Sequence, residues 1–249
     1  MYKSERQSAI LRILREKQYA TVEQLSKDLF TSISSIRRDL IEMERENLVI
    51  RSYGSVELVK SNSRAVSFSA RAQHRTEEKR RIAQKAAALV KDKDIVFLDQ
   101  SSTALYLAQE LVMDKKITII TNNLDILGSI YSQNNITIYS SSGLVSRGRG
   151  CLIGDDAMAT FNRIHADFAF FSAKALSPDG ILYDTNLPEV LVREAMIMNA
   201  QKKVLLCDSE KYDTFAGYRQ CALEDIDYLV SETEPTDRWR SCAPNLIVL

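Results

Sequence analysis

Short apolar runs recur along the larger, C-terminal part of this chain, each followed by a stretch with helical spacing, and this alternation restricts the possible folds more than any other feature. The runs are IVFLD, ITIIT, ITIYS, DFAFF and KVLLCD, starting at Ile95, Ile117, Ile136, Asp167 and Lys203. Between them lie helical patterns running through Leu111, through Ile130 and from about Pro188 to Ala200, and the Ala-rich EEKRRIAQKAAALV precedes the first run. Runs that are apolar throughout, rather than at every second residue, read as strands buried on both faces. The expected architecture is therefore a parallel sheet covered by helices, a Rossmann-like α/β domain. No internal repeat or low-complexity tract interrupts it.

Residues 1–59 follow another period. Ile10, Ile13 and Leu14 mark a first helix with Ser4 as its cap, and Thr21 and Gln24 have capping-box spacing ahead of a second, lined by Val22, Leu25 and Leu29. A third helix is expected from about Ser32 to Glu46, buried along Ile36, Leu40 and Met43. LVIRSYGSVEL then alternates as a hairpin turning at Tyr53-Gly54-Ser55. Three helices and a hairpin predict a winged helix-turn-helix. A helix fits the DNA major groove and offers the side chains of its first turns to base edges. Here those turns gather Ser32, Ser34, Ser35, Arg37 and Arg38. Either arginine can grip a guanine bidentately or clamp a phosphate, and Arg51 and Tyr53 on the hairpin would meet flanking phosphates or the minor groove. Winged helices also dock proteins, so on pattern alone a protein-binding head stays open.

Charge supports the same division. Lys and Arg number 33, as do Asp and Glu, yet residues 1–81 carry 17 basic against 11 acidic groups and the remainder 16 against 22. A basic head on an acidic body assigns any polyanion contact to the head. Residues 60–75, rich in Ser and Arg and weak in periodicity, read as a linker and leave 76–249 as the body. With 27% charged residues and no apolar run near the ~20 residues a bilayer requires, no spanning helix is expected. The first residues mix charge into the apolar pattern, unlike a secretory signal, so the expectation is a cytoplasmic chain with no membrane partner. Cys151, Cys207, Cys221 and Cys242 lie far apart without a C-x-x-C pair, and His74 and His165 are the only two histidines. Neither a metal site nor a Cys-His or Ser-His catalytic pair is expected. The thiols read as buried and reduced, and His165 as structural.

In an open α/β sheet, ligands collect beyond the carboxyl ends of the strands. Those positions hold Gln100, Ser101, Ser102 and Thr103 after the first run, Asn122 after the second, Ser142-Gly143 after the third, Ala173-Lys174 after the fourth, and Ser209 and Lys211 after the fifth. The first set opens a helix whose unpaired N–H groups suit a phosphate. Hydroxyls, an amide and two ammonium groups on one edge suit a small, polyhydroxylated anion.

SIRRDLIEMERENLVIRSYGS, Ser35 to Ser55, resembles the signature of the DeoR family of bacterial transcriptional regulators, with Ser35 at the family's threonine and Tyr53 and Ser55 at the wing's histidine and second glycine. Asp39, within that motif, is expected to orient an arginine or a helix end. The body resembles the family's effector domain, related in fold to ribose-5-phosphate isomerase, at Asp99 to Thr103, Thr121-Asn122, Ser142-Gly143 and Asp208 to Lys211. Ser101 and Ser142 stand at glycines of that pattern, and Gln100 and Glu210 at serines. The resemblance implies a repressor of carbohydrate-utilisation genes that binds double-stranded operator DNA and is relieved by a phosphorylated sugar. It would act as a homo-oligomer, dimer or tetramer, with no cofactor and no catalytic residues. The expected effector set is Asp99, Ser101, Ser102, Thr103, Asn122, Gly143, Lys174 and Lys211. Two alternatives remain: an isomerase-like enzyme using Asp99 and Lys174 as acid and base, and an interaction protein that has lost its ligand.

Overall fold

The computed structural model describes residues 3–17, 19–45, 48–52, 55–58, 67–146, 148–233, 239 and 241–249. Two compact units divide the chain, Met1–Arg71 and Ala72–Leu249.

The first unit contains α1 (Lys3–Lys17), β1 (Tyr19–Thr21), α2 (Val22–Asp28), α3 (Ile33–Arg45), β2 (Val49–Ser52) and β3 (Ser55–Leu58). Its core is the set that the periodicity marks: Ile10, Leu14, Leu25, Leu29, Ile36, Leu40 and Met43, closed by Ala20, Val49 and Val56. Burying each large side chain among these contributes roughly 1.5–3 kcal/mol, which is what holds so small a unit together. Thr21 caps α2 by a full capping box, its hydroxyl accepting from the N–H of Gln24 at 3.1 Å while the Gln24 side chain accepts from the N–H of Thr21 at 2.8 Å. Ser4, expected as a cap, instead lies inside α1, where its carbonyl accepts from the Ser8 hydroxyl. The hairpin also gains an unforeseen third strand, because β1 pairs antiparallel with β3 to give the order β1-β3-β2. Tyr53 and Gly54, residues 60–66 of the expected linker, and Glu46 lie outside the described residues.

The rest of the expected linker is not irregular. Ser67 accepts from the N–H of Ala70 and starts α4 (Phe68–Gln73), which crosses the division between the units. The serine cap opens this short helix and burial of Phe68 helps to hold it.

The second unit follows with α5 (Thr76–Ala87), β4 (Ile95–Leu98), α6 (Ser102–Leu111), β5 (Thr118–Thr121), α7 (Leu124–Ile130), β6 (Thr137–Ser140), β7 (Leu144–Ser146), β8 (Cys151–Ile153), α8 (Asp155–Asn162), β9 (Ala166–Phe171), β10 (Ala175–Leu176), β11 (Ile181–Asp184), α9 (Leu187–Met198), β12 (Ala200–Leu206), β13 (Tyr218–Ala222), β14 (Tyr228–Val230) and β15 (Ile247–Val248). A seven-stranded parallel sheet runs in the order β15-β14-β12-β9-β4-β5-β6. Its central strands read as unbroken apolar runs because they face two cores, whereas the edge strands β6 and β15 are largely exposed. Val96 and Leu98 of β4 join the cluster of α5, α6 and α7, while Phe97 between them joins the cluster of α8 and α9, edge-on to Phe161 at 5.1 Å. Two further pairings, the β7–β8 hairpin and a small antiparallel sheet β10-β11-β13, flank the main sheet. Among the described residues no helix is long and apolar enough to cross a membrane, and no group of three or more His, Cys, Asp or Glu is placed to hold a metal ion.

Candidate functional site

On the first unit the residues of interest surround the start of α3. The Ser32 hydroxyl accepts from the N–H of Ser35 at 3.3 Å and lies within 3.1 Å of the Ser34 and 3.0 Å of the Ser35 hydroxyls, which caps the helix and ties its first turn. Ser32, Ser34, Arg37 and Arg38 are exposed and Ser35 is half-buried. Burial of Ile36 and Leu40 on the opposite flank leaves the arginines no place but the solvent side. Asp39 is withdrawn from this surface: it is only 3% exposed, and Arg6 of α1 grips it bidentately, Nε to Oδ2 at 2.5 Å and Nη2 to Oδ1 at 3.1 Å. A charge-assisted fork of this kind fixes geometry as well as charge, so α3 is held against α1 while its anionic group is turned away from any polyanion. Arg51 lies on β2.

On the second unit the carboxyl ends of β12, β9, β4, β5 and β6 stand side by side. Asp99, fully buried after β4, organises the centre. Its Oδ1 accepts from the N–H of Ser101 at 3.0 Å, and its Oδ2 accepts from the N–H of Ser172 after β9 at 3.1 Å and from Arg193 Nε of α9 at 3.0 Å. Arg193 continues to Asp184 Oδ2 at 2.9 Å and to the Gln220 carboxamide oxygen. Burial alone would lower the guanidinium's pKa, but the surrounding carboxylates of Asp184, Asp99 and Glu189 outweigh it and raise it, so Arg193 stays charged.

Ser101 caps α6, its hydroxyl accepting from the N–H of Ala104 at 3.1 Å, and Ser102 and Thr103 follow it into the helix, both buried. Asn123 bridges neighbouring ends, donating to the carbonyls of Asp99 and Ser101 at 3.4 Å and capping α7 with its oxygen. Asn122 donates to the Leu152 carbonyl at 2.9 Å. Lys211, in a short turn after β12, donates to the Ser172 hydroxyl at 2.7 Å and pairs with Asp208 at 3.2 Å. Burial would raise Asp208, yet Lys211 holds it below the usual carboxylate range.

These buried groups leave a distinctive remainder. Gln100 Oε1, Asn122 Oδ1, Ser141 Oγ and Asp208 Oδ1 are sealed from solvent without a hydrogen-bond partner among the described residues. They follow β4, β5, β6 and β12 respectively, all on one edge of the sheet. Native proteins satisfy nearly all buried polar atoms, so four such atoms at the ends of four parallel strands are unusual.

Other expected residues lie differently. Gly143, in the turn into β7, has φ +123, and a Cβ there would meet the Ile153 carbonyl at 2.6 Å, so close backbone approach requires glycine at this point. Lys174 is exposed between β9 and β10. His165 is exposed just before β9, and His74 pairs with Glu210 at 2.6 Å. Cys151 and Cys207 are buried, whereas Cys221 and Cys242 are only partly so, which corrects the expectation for those two. Burial pushes the Cys207 and Cys221 thiols up to about 12. Periodicity does not single out Ser172, Glu189 or Arg193. Glu189 and Arg193 are spaced as a surface ion pair on a helix, but both are buried and bond residues distant in sequence.

The DeoR C terminal sensor domain matches residues 74–233, and the DeoR-like helix-turn-helix domain matches residues 6–62. Similar proteins include the HTH-type transcriptional regulator GolR of Listeria innocua, 33% identical over 94% of this chain and 92% of that protein. The HTH-type transcriptional repressor GlcR of Bacillus subtilis is 30% identical over 94% and 90%, and the glycerol-3-phosphate regulon repressor of Escherichia coli 26% over 94% and 93%. Among solved structures, ribose 5-phosphate isomerase A of Methanocaldococcus jannaschii overlaps at a TM-score of 0.41 and 19% identity, covering 55% of this chain and 54% of that one. The chain spans about half the length of such structures, 51% in the case of eIF2B beta from Chaetomium thermophilum, at 16% identity, 66% of this chain and a TM-score of 0.49. Both domain matches fall on the two units in the same order, and the aligned relatives cover head and body together: the chain belongs to the DeoR family of DNA-binding transcriptional regulators.

Proposed function

We propose that the head holds operator DNA with Ser32 at the start of α3 and Ser34, Ser35, Arg37 and Arg38 within it in the major groove and Arg51 and Tyr53 beside it, and that the strand-end edge of the body takes a phosphorylated sugar that releases the repressor from carbohydrate-utilisation genes. The row of partnerless buried atoms at Gln100, Asn122, Ser141 and Asp208 carries the effector half of this reading. Beside it lie the N-terminus of α6, with Ser101, Ser102 and Thr103, for the phosphate, and Lys211 to offset its charge. In the same reading Asp99 holds the edge in shape, and Gly143 and Lys174 border it. A homo-oligomer, dimer or tetramer, would let two heads read two half-sites.

Catalysis is not part of the proposal. Asp99 accepts three hydrogen bonds with its two oxygens, one from a buried guanidinium, and Lys174 is exposed beyond the end of β9. An acid-base role would require Asp99 to give up the bonds that join β4 to β9 and α9.

The ligand would act by linkage, moving the population off DNA by no more than its preference for the low-affinity state. Calorimetry with a panel of sugar phosphates, paired with release of a fluorescent operator duplex, tests it. At least one compound should bind and release DNA, and Ser102→Asp, which sets a carboxylate at the start of α6, should abolish the response while operator affinity is kept. Undiminished sugar-phosphate binding by Ser102→Asp would sink the phosphate assignment.

A further inference from the structure

We propose that Gln100 decides which sugar phosphate this edge accepts, its carboxamide oxygen taking a hydrogen bond from a ligand hydroxyl while Glu189 and Arg149 hold the amide in position. The inference rests on the effector reading above and concerns its selectivity.

Gln100 is 0% exposed and stands between Asp99, which ties the ends of β4 and β9 together, and Ser101, which caps α6. Its Nε2 donates to Glu189 Oε2 at 3.4 Å. A carboxylate only accepts, so this contact orients the amide: the nitrogen is directed at Glu189, and the oxygen is the atom left over. Glu189 is itself pinned. It is 1% exposed, Arg149 pairs with it through Nε to Oε1 at 3.0 Å and through Nη1 to Oε2 at 3.3 Å, and its N–H donates to Asn186 Oδ1 at 3.2 Å. Arg149 comes from the turn between β7 and β8 and reaches Thr185 Oγ1 at 3.4 Å with its remaining nitrogen.

An amide oxygen sealed from water and left unmet costs free energy that an arriving donor recovers. A phosphate monoester dianion has only acceptors, so the donor has to be a hydroxyl on the sugar carbons. Asn122 presents the same situation one strand away: its nitrogen is bound by the Leu152 carbonyl and its oxygen is left over. Two fixed acceptors on neighbouring strand ends select ligands by where their hydroxyls lie. A site built to pair a hydroxyl discriminates against compounds lacking it far more strongly than an apolar pocket can.

The test is calorimetry on the full chain at pH 8, with glucose 6-phosphate, fructose 6-phosphate, fructose 1-phosphate, ribose 5-phosphate and glycerol 3-phosphate, and methyl phosphate as the control without a hydroxyl. Wild-type protein should bind at least one of the five more tightly than methyl phosphate. Gln100→Met keeps the length and removes the acceptor; it should weaken that compound at least about tenfold and move methyl phosphate by less than about twofold. Gln100→Ser, with a shorter hydroxyl, should reorder the panel and serves if the Met variant fails to fold. If neither folds, the wild type is titrated with the monodeoxy analogues of its tightest compound, and equal affinity for all of them overturns the proposal. Unchanged affinities in a folded variant, or an equal loss for methyl phosphate, overturn the role of Gln100 and leave the effector reading standing. Wild-type protein that binds none of these compounds overturns both.

Discussion

On the helix-turn-helix, Ser32, Ser34, Arg37 and Arg38 stand exposed along one flank of α3, whereas the edge of the parallel sheet keeps Gln100, Asn122, Ser141 and Asp208 sealed from solvent with atoms still unmet. In the proposed reading, the difference follows from what each would bind. A duplex is large, rigid and highly charged, so long hydrated cations on a surface can reach it and surrender counterions for affinity. A small ligand has little surface to offer and has to be met by groups already stripped of water and fixed in place, or the cost of ordering them consumes its binding energy. The first region is stabilised by an apolar core, the Arg6–Asp39 fork and a capping box, none of which uses the exposed side chains of α3. In the other, the buried groups at the strand ends are part of what holds the fold.

Lowering the pH should separate the two regions most widely, because it acts on several carboxylates of the body together. Burial would raise Asp184, Asp208 and Glu232, but Arg193 with the Thr185 N–H, Lys211, and the Ser209 hydroxyl and N–H respectively hold each below its ordinary value. For a carboxylate with a depressed native pKa, the stabilisation is complete above the unfolded value, near 4, and is lost as the pH falls through the native one. The urea midpoint of the body should therefore drop below about pH 4. Trp239 is the chain's single tryptophan, buried in the body against Tyr212 at 4.7 Å, so its fluorescence follows the body alone. A midpoint that stays level down to pH 3 would remove these carboxylates from the account of stability.

Arg193→Met comes next in size. It leaves Asp99 and Asp184 buried without their cation and should cost the body about 3–5 kcal/mol, as breaking one partner out of a buried pair does. Denaturation followed by Trp239 fluorescence measures it; a loss below about 1 kcal/mol would show that the network is incidental. Arg37→Ala and Arg38→Ala should do the reverse, leaving stability within about 0.5 kcal/mol while a base-reading arginine loses about 1–3 kcal/mol of operator affinity. Fluorescence anisotropy at near-physiological salt decides, and two variants with wild-type affinity would dismiss this face of α3. The smallest expected effect is Thr21→Ala, which dissolves the capping box of α2 for about 1 kcal/mol and should lower the melting transition of the head by circular dichroism with no change in the Trp239 signal.

Legibility in the sequence divides along the same line. The head's helices could be read because each has one buried stripe, and the central strands because two-sided burial leaves an apolar run. Pairs such as β10 and β11 escaped notice for being short, although Ser177-Pro178-Asp179-Gly180 between them is a turn signal, with Gly180 at φ +79 and its N–H donating to the Ser177 carbonyl at 3.0 Å. Residues following the strands were legible as a set, since topology alone puts strand ends together. Their partners were not. Nothing local tells that Arg193 meets Asp99 across 94 positions or that Arg149 meets Glu189 across 40, because such pairs come from the packing of α9 and of the β7–β8 turn onto the sheet.

The strand order has a consequence of its own. From β4 the chain proceeds to β5 and β6 on one side, and later from β9 to β12 and β14 on the other, with α6 and α7 packed on one face of the sheet and α8 and α9 on the opposite one. The helical crossovers from β4 and from β9 therefore lie on opposite faces, and the crevice that such a switch point makes is a property of the winding, not of any side chain at that gap. Residues bordering that gap can be exchanged without disturbing strand pairing. In the proposed reading, selectivity can thus drift from one ligand to another at constant architecture, while substitutions at anchoring positions such as Asp99 and Arg193 put folding itself at stake.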